Sequence, residues 1–222
     1  MGDLTVLDPF QKGEFLVQDG AAALVARVAG VEPGDRVLDV CAAPGGKSFS
    51  AAFAMADRGQ IIACDLHENK LKRVQEGARR LGLGCLETVA ADGRNFRPEW
   101  ENLFDTVLVD APCSGLGIIR KKPDARYKTL ESLFTLPVVQ DAILRNAARY
   151  VRPGGTMVYS TCTILPEENQ QVTEAFLAET PEFERTPFDL PEPVGKTEGE
   201  ITLWPHRHGT DRFYICRMTR HA

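Results

Sequence analysis

Arg36-Val37-Leu38-Asp39-Val40-Cys41-Ala42-Ala43-Pro44-Gly45-Gly46-Lys47-Ser48 is the stretch that decides the fold. The turn Pro33-Gly34-Asp35 introduces it, and Arg36 to Val40 reads as a short apolar strand. Small residues then carry the chain into a helix from Lys47 to Met55. Small residues let a ligand approach the backbone, and a helix N-terminus supplies N–H groups to hold it. Outward from this unit, strand and helix alternate. Gln60–Cys64, Cys85–Ala90, Asp105–Asp110 and Thr156–Ser160 read as further strands, the last entered through the turn Pro153-Gly154-Gly155. Helices are expected from an Asp19 cap through Ala21–Val28 to a stop at Gly30. Others cover Glu68–Leu81 (closed by Gly82), about Leu136–Tyr150 and about Glu167–Leu177. The Pro- and Glu-rich stretch Thr180–Glu200 reads as a surface loop. Ile201–Trp204 and Arg212–Met218 read as two closing strands, joined with no helix by a turn at Gly209-Thr210-Asp211. Alternation predicts an α/β, doubly wound, mainly parallel sheet with an antiparallel pair at one edge.

Composition sets the limits. The chain has 222 residues, 43% apolar and 26% charged, an ordinary globular balance that excludes disordered and fibrous classes. No apolar run reaches the length of a membrane helix, and Met1-Gly2-Asp3-Leu4-Thr5 lacks the basic and apolar regions of a signal peptide. Six cysteines with no C-x-x-C pair are too few for a disulfide scaffold and do not suggest a structural metal. An intracellular, cytoplasmic protein with reduced thiols and no metal is expected.

In sheets of this kind, ligands sit beyond the C-terminal strand ends, where the strand order reverses. Five such ends carry unusual residues: Cys41 to Lys47, Asp65, Asp92, Asp110 to Ser114, and Ser160 to Thr163. The first loop has two rival readings. Gly46-Lys47-Ser48 matches the end of a phosphate loop, G-x-x-x-x-G-K-[ST], but Cys41 stands at its first glycine. Asp65, about 20 residues after the glycines, separates them, because an acid there accepts hydrogen bonds from ribose hydroxyls. Adenosine without a pyrophosphate is implied, and S-adenosylmethionine fits. The bland alternative makes Asp65 a cap for the Glu68 helix.

Two thiols also lie just past neighbouring strand ends, Cys113 in Asp110-Ala111-Pro112-Cys113-Ser114 and Cys162 in Ser160-Thr161-Cys162-Thr163. Most cysteines are small buried hydrophobes, which suffices for Cys64, Cys85 and Cys216. A thiol at a strand end is better placed for chemistry. Carbon 5 of a pyrimidine is a poor nucleophile until a thiolate adds at carbon 6. A second acid/base group then helps the thiol leave, and an acid such as Asp110 favours the attack by bonding the ring. The residues leave open which thiol attacks.

With these segments in order, the chain resembles the RsmB-type (Sun family) RNA cytosine-C5 methyltransferases. Phe15-Leu16-Val17-Gln18-Asp19, Asp39 to Ser48, Asp65, Asp92-Gly93, Asp110 to Gly117, Pro153-Gly154-Gly155, Tyr159 to Ile164, Pro166-Glu167-Glu168-Asn169 and His208-Gly209-Thr210-Asp211 all fit. Ser48 departs mildly, standing where Thr is common. The resemblance implies a seven-stranded Rossmann-like methyltransferase sheet with an antiparallel edge strand. Residues 1–222 would form one catalytic domain after a lead-in over about 1–20, without the extra RNA-binding domain of family members. Cys41, Ala42, Ala43, Pro44, Gly45, Gly46 and Lys47 would wrap the methionine part of S-adenosylmethionine. Lys47 would hold either Asp110 or the cofactor carboxylate. Asp65 would bind ribose and Asp92 the adenine amino group, with Asp110 touching cofactor and cytosine. Cys162 would be the nucleophile and Cys113 would assist release. The partner would be RNA, 16S ribosomal RNA above all, met by a monomer away from any membrane. Two rivals remain: a phosphate-loop nucleotide hydrolase and a non-catalytic RNA-binding relative.

Charge is uneven. Thr163 to Glu200 holds nine Glu and one Asp against Arg185 and Lys196, in a chain of net charge −5. Two basic windows stand out, Arg120, Lys121, Lys122, Arg126 and Lys128 against Asp124, and Arg207, Arg212, Arg217 and Arg220 against Asp211. Each is either a solvated face or a set of phosphate contacts. His206 and His208 are expected to be structural or RNA-facing rather than metal ligands.

Overall fold

The structure, a computed structural model, describes residues 4–127 and 130–222. A lead-in with a short helix α1 (Asp8–Gln11) reaches α2 (Gly20–Ala29). The chain then runs β1 (Arg36–Asp39), α3 (Gly46–Ala54), β2 (Gln60–Asp65), α4 (Glu68–Leu81), β3 (Leu86–Ala90), β4 (Phe104–Asp110), α5 (Leu130–Ala148) and β5 (Val151–Thr161). It finishes with α6 (Gln170–Glu179), β6 (Phe183–Arg185), β7 (Phe188–Leu190), β8 (Gly195–Thr197), β9 (Glu200–Leu203), α7 (Pro205–His208) and β10 (Phe213–Arg220). The main sheet has the order β3-β2-β1-β4-β5-β10-β6, with β9 also paired to β10. Strands β3 to β5 in that order are parallel, while β10 is antiparallel to β5, β6 and β9. The order reverses between β1 and β4.

Helices cover both faces because the strands are apolar on both. On β4, Val107 and Val109 pack with Ile143, Leu144 and Phe176 under α5 and α6. Leu108 between them packs with Val25, Ala51 and Ala52 under α2 and α3. Leu108 and Leu144 are fully buried, a change of about 1.5–3 kcal/mol for each such side chain. Two predicted caps fall where expected. Asp19 Oδ1 accepts the Ala21 N–H at 2.9 Å, and Gly30 closes α2 at φ +65°.

The α/β doubly wound class therefore holds, with eight strands where seven were expected. The extra strand is β6, in the stretch expected to be a loop. That stretch also contains the β7–β8 hairpin. Phe183, Phe188 and Leu190 are buried there, so three apolar anchors outweigh the surrounding Pro and Glu. Pro153-Gly154-Gly155 is a bulge within β5 rather than a turn before it, since Phe104 pairs Val151 while Thr106 pairs Thr156. Helix α5 begins earlier than Leu136 and carries Pro137 inside it. One helical turn, α7, does separate β9 from β10. His208 Nδ1 accepts the Trp204 N–H at 2.8 Å within it, which makes His208 structural.

Candidate active site

The C-terminal ends of β1 to β5 share one edge of the sheet and carry the predicted residues. Gly45, at φ +108°, lets the chain turn from the β1 loop into α3, a conformation that penalises any Cβ. A Cβ there would also meet the Phe49 ring at 2.5 Å. Lys47 sits in the first turn of α3, and its Nζ meets Asp110 Oδ2 at 2.7 Å across the point of reversal. The alternative of a solvated lysine is excluded: its side chain is 11% exposed. Burial opposes the Lys47 charge, but Asp110 outweighs it and holds the ammonium above its ordinary pKa. Asp110 Oδ1 accepts the Ser160 hydroxyl at 2.8 Å.

The phosphate-loop rival fails on Ser48. Its hydroxyl is fully buried and donates to Asp39 Oδ2 at 2.7 Å, out of reach of a magnesium ion. Asp39 is itself fully enclosed, and burial raises its pKa from 3.8 to about 6.

Asp65 is buried at the end of β2. Its Oδ1 accepts the His67 N–H at 3.0 Å and lies 4.0 Å from Lys70 Nζ. It does not cap α4, whose N-cap is His67. Asp92, two residues past β3, is gripped by Arg94 (Nη2 to Oδ2, 2.6 Å), which holds its carboxyl below the usual range. Nothing in the sequence pointed to Arg94.

The two thiols meet. Cys113 Sγ and Cys162 Sγ lie 3.4 Å apart at the ends of the adjacent strands β4 and β5. Cys162 is half-buried beside the α2-side core, and its sulfur faces Cys113. The hydrogen bond from Cys113 lowers the Cys162 pKa, and the Lys47 and Lys122 charges add to this against burial and Asp110. The same hydrogen bond, with burial, pushes Cys113 well above its ordinary value. The two sulfurs thus form one coupled pair, and the Lys47 and Lys122 charges act on its Cys162 side. Gly117 explains the close packing behind it. Its N–H donates to the Cys162 carbonyl at 2.9 Å, where a Cβ would stand 2.7 Å from that oxygen. Cys64 and Cys216 are buried in the core, and Cys85 donates its N–H to Asp57 outside the site.

Several residues around the site were missed. Glu168, Asn169 and Gln140 are buried polar groups behind the thiols. Two acids after a proline in Pro166-Glu167-Glu168-Asn169 resemble a helix start, so only the tertiary contacts single out Glu168. Gln18 receives the Ser50 hydroxyl on Oε1 at 2.7 Å. Its Nε2 is enclosed beside Gly46 without a protein acceptor. An orphaned donor at this loop and acids at the β2 and β3 ends fit a ligand with both a carboxylate and a ribose. The 640 Å³ cavity between α5 and α6, lined by Phe134, Val138, Leu165 and Val172 among others, contains none of these residues.

The basic windows divide. Lys121 reaches Asp19 at 2.5 Å and Asp211 at 2.7 Å, and Arg120 reaches Asp211 at 3.1 Å. Lys122 and Arg126 stay exposed; Lys128 lies outside the described residues. In the second window, Arg212 is buried with Nη1 on the Thr163 carbonyl and its guanidinium over Trp204. Arg220 is tied to Asn102 and Val151. That window is largely structural, leaving Arg207 and His206 exposed. Among the described residues, no cluster suits a metal and no helix is long and apolar enough to cross a membrane.

This sheet, with a glycine loop at its point of reversal and acids at the next two strand ends, defines a Rossmann-like fold of the methyltransferase class. Residues 27–219 match the model of the 16S rRNA methyltransferase RsmB/F family, and the chain belongs to it. It is 44% identical over 95% of its length to a probable ribosomal RNA small subunit methyltransferase B of Bacillus subtilis, covering 49% of that protein. The methyltransferase B of Klebsiella pneumoniae is 40% identical over 96% of the chain, again with 49% of the relative covered. The chain thus spans about half the length of the curated relatives it matches. Crystal structures of PH0851 (TM-score 0.91, 34% identity, 98% of this chain and 50% of that one) and of NSun6 from Pyrococcus horikoshii with SFG (0.85, 29%, 99% and 56%) share its fold.

Proposed function

We propose that the chain transfers a methyl group from S-adenosylmethionine to carbon 5 of a cytosine in RNA, through a covalent bond between Cys162 and carbon 6. The observation that carries this reading is the thiol pair, Cys162 Sγ and Cys113 Sγ 3.4 Å apart past the ends of β4 and β5, next to Asp110 and Lys47. Family membership supports a methyltransferase, and the small subunit methyltransferases among its relatives support 16S ribosomal RNA as substrate. The reaction would take place in the cytoplasm. NSun6, solved with the S-adenosylmethionine analogue SFG, supports the cofactor.

Cys41 to Lys47 would hold the methionine part, with Gln18 Nε2 as a further donor. Asp65 would take the ribose and Asp92 the adenine amino group. When bound, S-adenosylmethionine supplies an electrophilic methyl group. The Cys162 thiolate forms a C–S bond at carbon 6, and the displaced ring electrons make carbon 5 nucleophilic. Asp110, anchored by Lys47 and Ser160, would hydrogen-bond the cytosine. After methylation, loss of the carbon 5 proton restores the double bond and expels the Cys162 thiolate, with Cys113 assisting. The target base must be unpaired or flipped to reach the sulfur. Lys122 and Arg126, on the segment that starts at Gly117 behind Cys162, are the exposed cations suited to the RNA backbone.

RNA carrying 5-fluorocytidine tests this, because fluorine blocks the elimination. Parent and Cys113→Ala are expected to form the adduct, and Cys162→Ala to form none. An adduct that survives in Cys162→Ala but is lost in Cys113→Ala reverses the assignment. Tight magnesium-dependent ATP binding would instead restore the hydrolase.

A further inference from the structure

The two thiols belong to different loops, and their separation needs a cause. The Cys113 loop leaves β4 and the Cys162 loop leaves β5, and both are followed by a residue that turns inward, Ser114 and Thr163, each fully buried. Glu168 lies between them. It is fully buried, at the end of the single 3₁₀ turn Pro166–Glu168. Its Oε2 accepts the Ser114 N–H at 2.8 Å and the Gln140 Nε2–H at 2.8 Å; its Oε1 accepts the Thr163 hydroxyl at 3.0 Å. Gln140 donates to the Pro112 carbonyl as well, at 2.9 Å, so α5 is pinned to the Cys113 loop through the same knot. Ser114 and Thr163 also share a hydrogen bond at 2.5 Å, and Tyr159 donates to the Glu168 carbonyl at 2.7 Å.

We infer that Glu168 is a positioning residue that sets the separation of the two thiols, by tying the residue after Cys113 and the residue after Cys162 to one carboxylate. This rests on the reading of Cys162 as nucleophile. A carboxylate suits the task because it is acceptor-only and receives three N–H and O–H donors at once. Charge-assisted bonds are also shorter and about twice as strong as neutral ones. Glutamine in its place keeps an acceptor for the Ser114 and Gln140 N–H groups but loses the charge, and its NH₂ forces the Thr163 hydroxyl from donor to acceptor, so the tie between the two loops weakens. A loosened pair weakens the Cys113 hydrogen bond, and the other groups acting on Cys162 are Asp110, which disfavours its charge, and Lys47 and Lys122, which favour it.

The test compares the parent, Glu168→Gln and Thr163→Val by iodoacetamide alkylation of the RNA-free chain over pH, with Cys162 resolved from Cys113 by peptide mass spectrometry. Both variants are expected to move the Cys162 inflection upward by about one pH unit, which is about tenfold less thiolate at neutral pH. S-adenosylmethionine affinity by calorimetry is expected to stay within about twofold of the parent, since Cys41 to Lys47, Asp65 and Asp92 lie on other loops and Asp110, at the end of β4, keeps its own ties to Lys47 and Ser160. A folded variant whose alkylation profile is unchanged makes Glu168 a stabiliser of the fold only and overturns the inference. Should Glu168→Gln not fold, Thr163→Val decides, since it removes one donor at nearly constant shape. No RNA enters this measurement. If the parent fails to trap 5-fluorocytidine RNA, the methyl-transfer reading falls while the alkylation result still judges the thiol spacing.

Discussion

Asp39→Asn should separate electrostatics from packing beneath the donor loop. Burial raises the Asp39 carboxyl from 3.8 to about 6. A carboxyl raised on folding binds its proton more tightly in the native state. Its contribution to stability is therefore complete below pH 3.8 and is lost as pH rises through about 6. The full span corresponds to about 3 kcal/mol, and about half of it falls between pH 5 and pH 8. Asparagine keeps the acceptor for Ser48 but places an NH₂ where Asp39 Oδ1 has no partner, a constant penalty of about 1–3 kcal/mol. That offset is independent of pH, so the change in the gap between variant and parent isolates the charge. Calorimetric melting at pH 5 and pH 8 should show the gap moving in favour of Asp39→Asn by about 1.5 kcal/mol, or about 3–6 °C for a chain this long. A gap equal at both pH values, or moving the other way, would refute the assignment of a strained, buried charge to Asp39.

Lys47→Met leaves Asp110 without its cation; with Asp110 30% exposed, a loss of about 2 kcal/mol is expected, read as a melting shift of about 4–8 °C. Asp65→Ala should weaken S-adenosylmethionine binding at least about tenfold in a calorimetric titration while the melting temperature of the free chain changes little. Lys122→Ala and Arg126→Ala should each lower the salt slope of single-stranded RNA binding by about one, measured by fluorescence anisotropy, whereas Arg220→Ala should leave that slope unchanged.

The pattern from Arg36 to Ser48, repeated as strand and helix, determined the doubly wound class, because buried parallel strands must be apolar on both faces and must end in loops. The gathering of Asp65, Asp92, Asp110, Cys113 and Cys162 at one sheet edge was legible for the same reason: each stands at or just past a strand end, a position read from local sequence. Other features depended on contacts between distant segments. The strand β6 was hidden because Phe183 reaches its partner on β10 only after the chain has returned from β5. The division of the basic windows was hidden because a sequence records a charge but not the acid that folds against it, as Asp19 and Asp211 do for Lys121. The meeting of the thiols had the same origin. Cys113 and Cys162 lie 49 residues apart in sequence, and only β4 pairing β5 brings their sulfurs within 3.4 Å and places the Lys47 and Lys122 charges near Cys162.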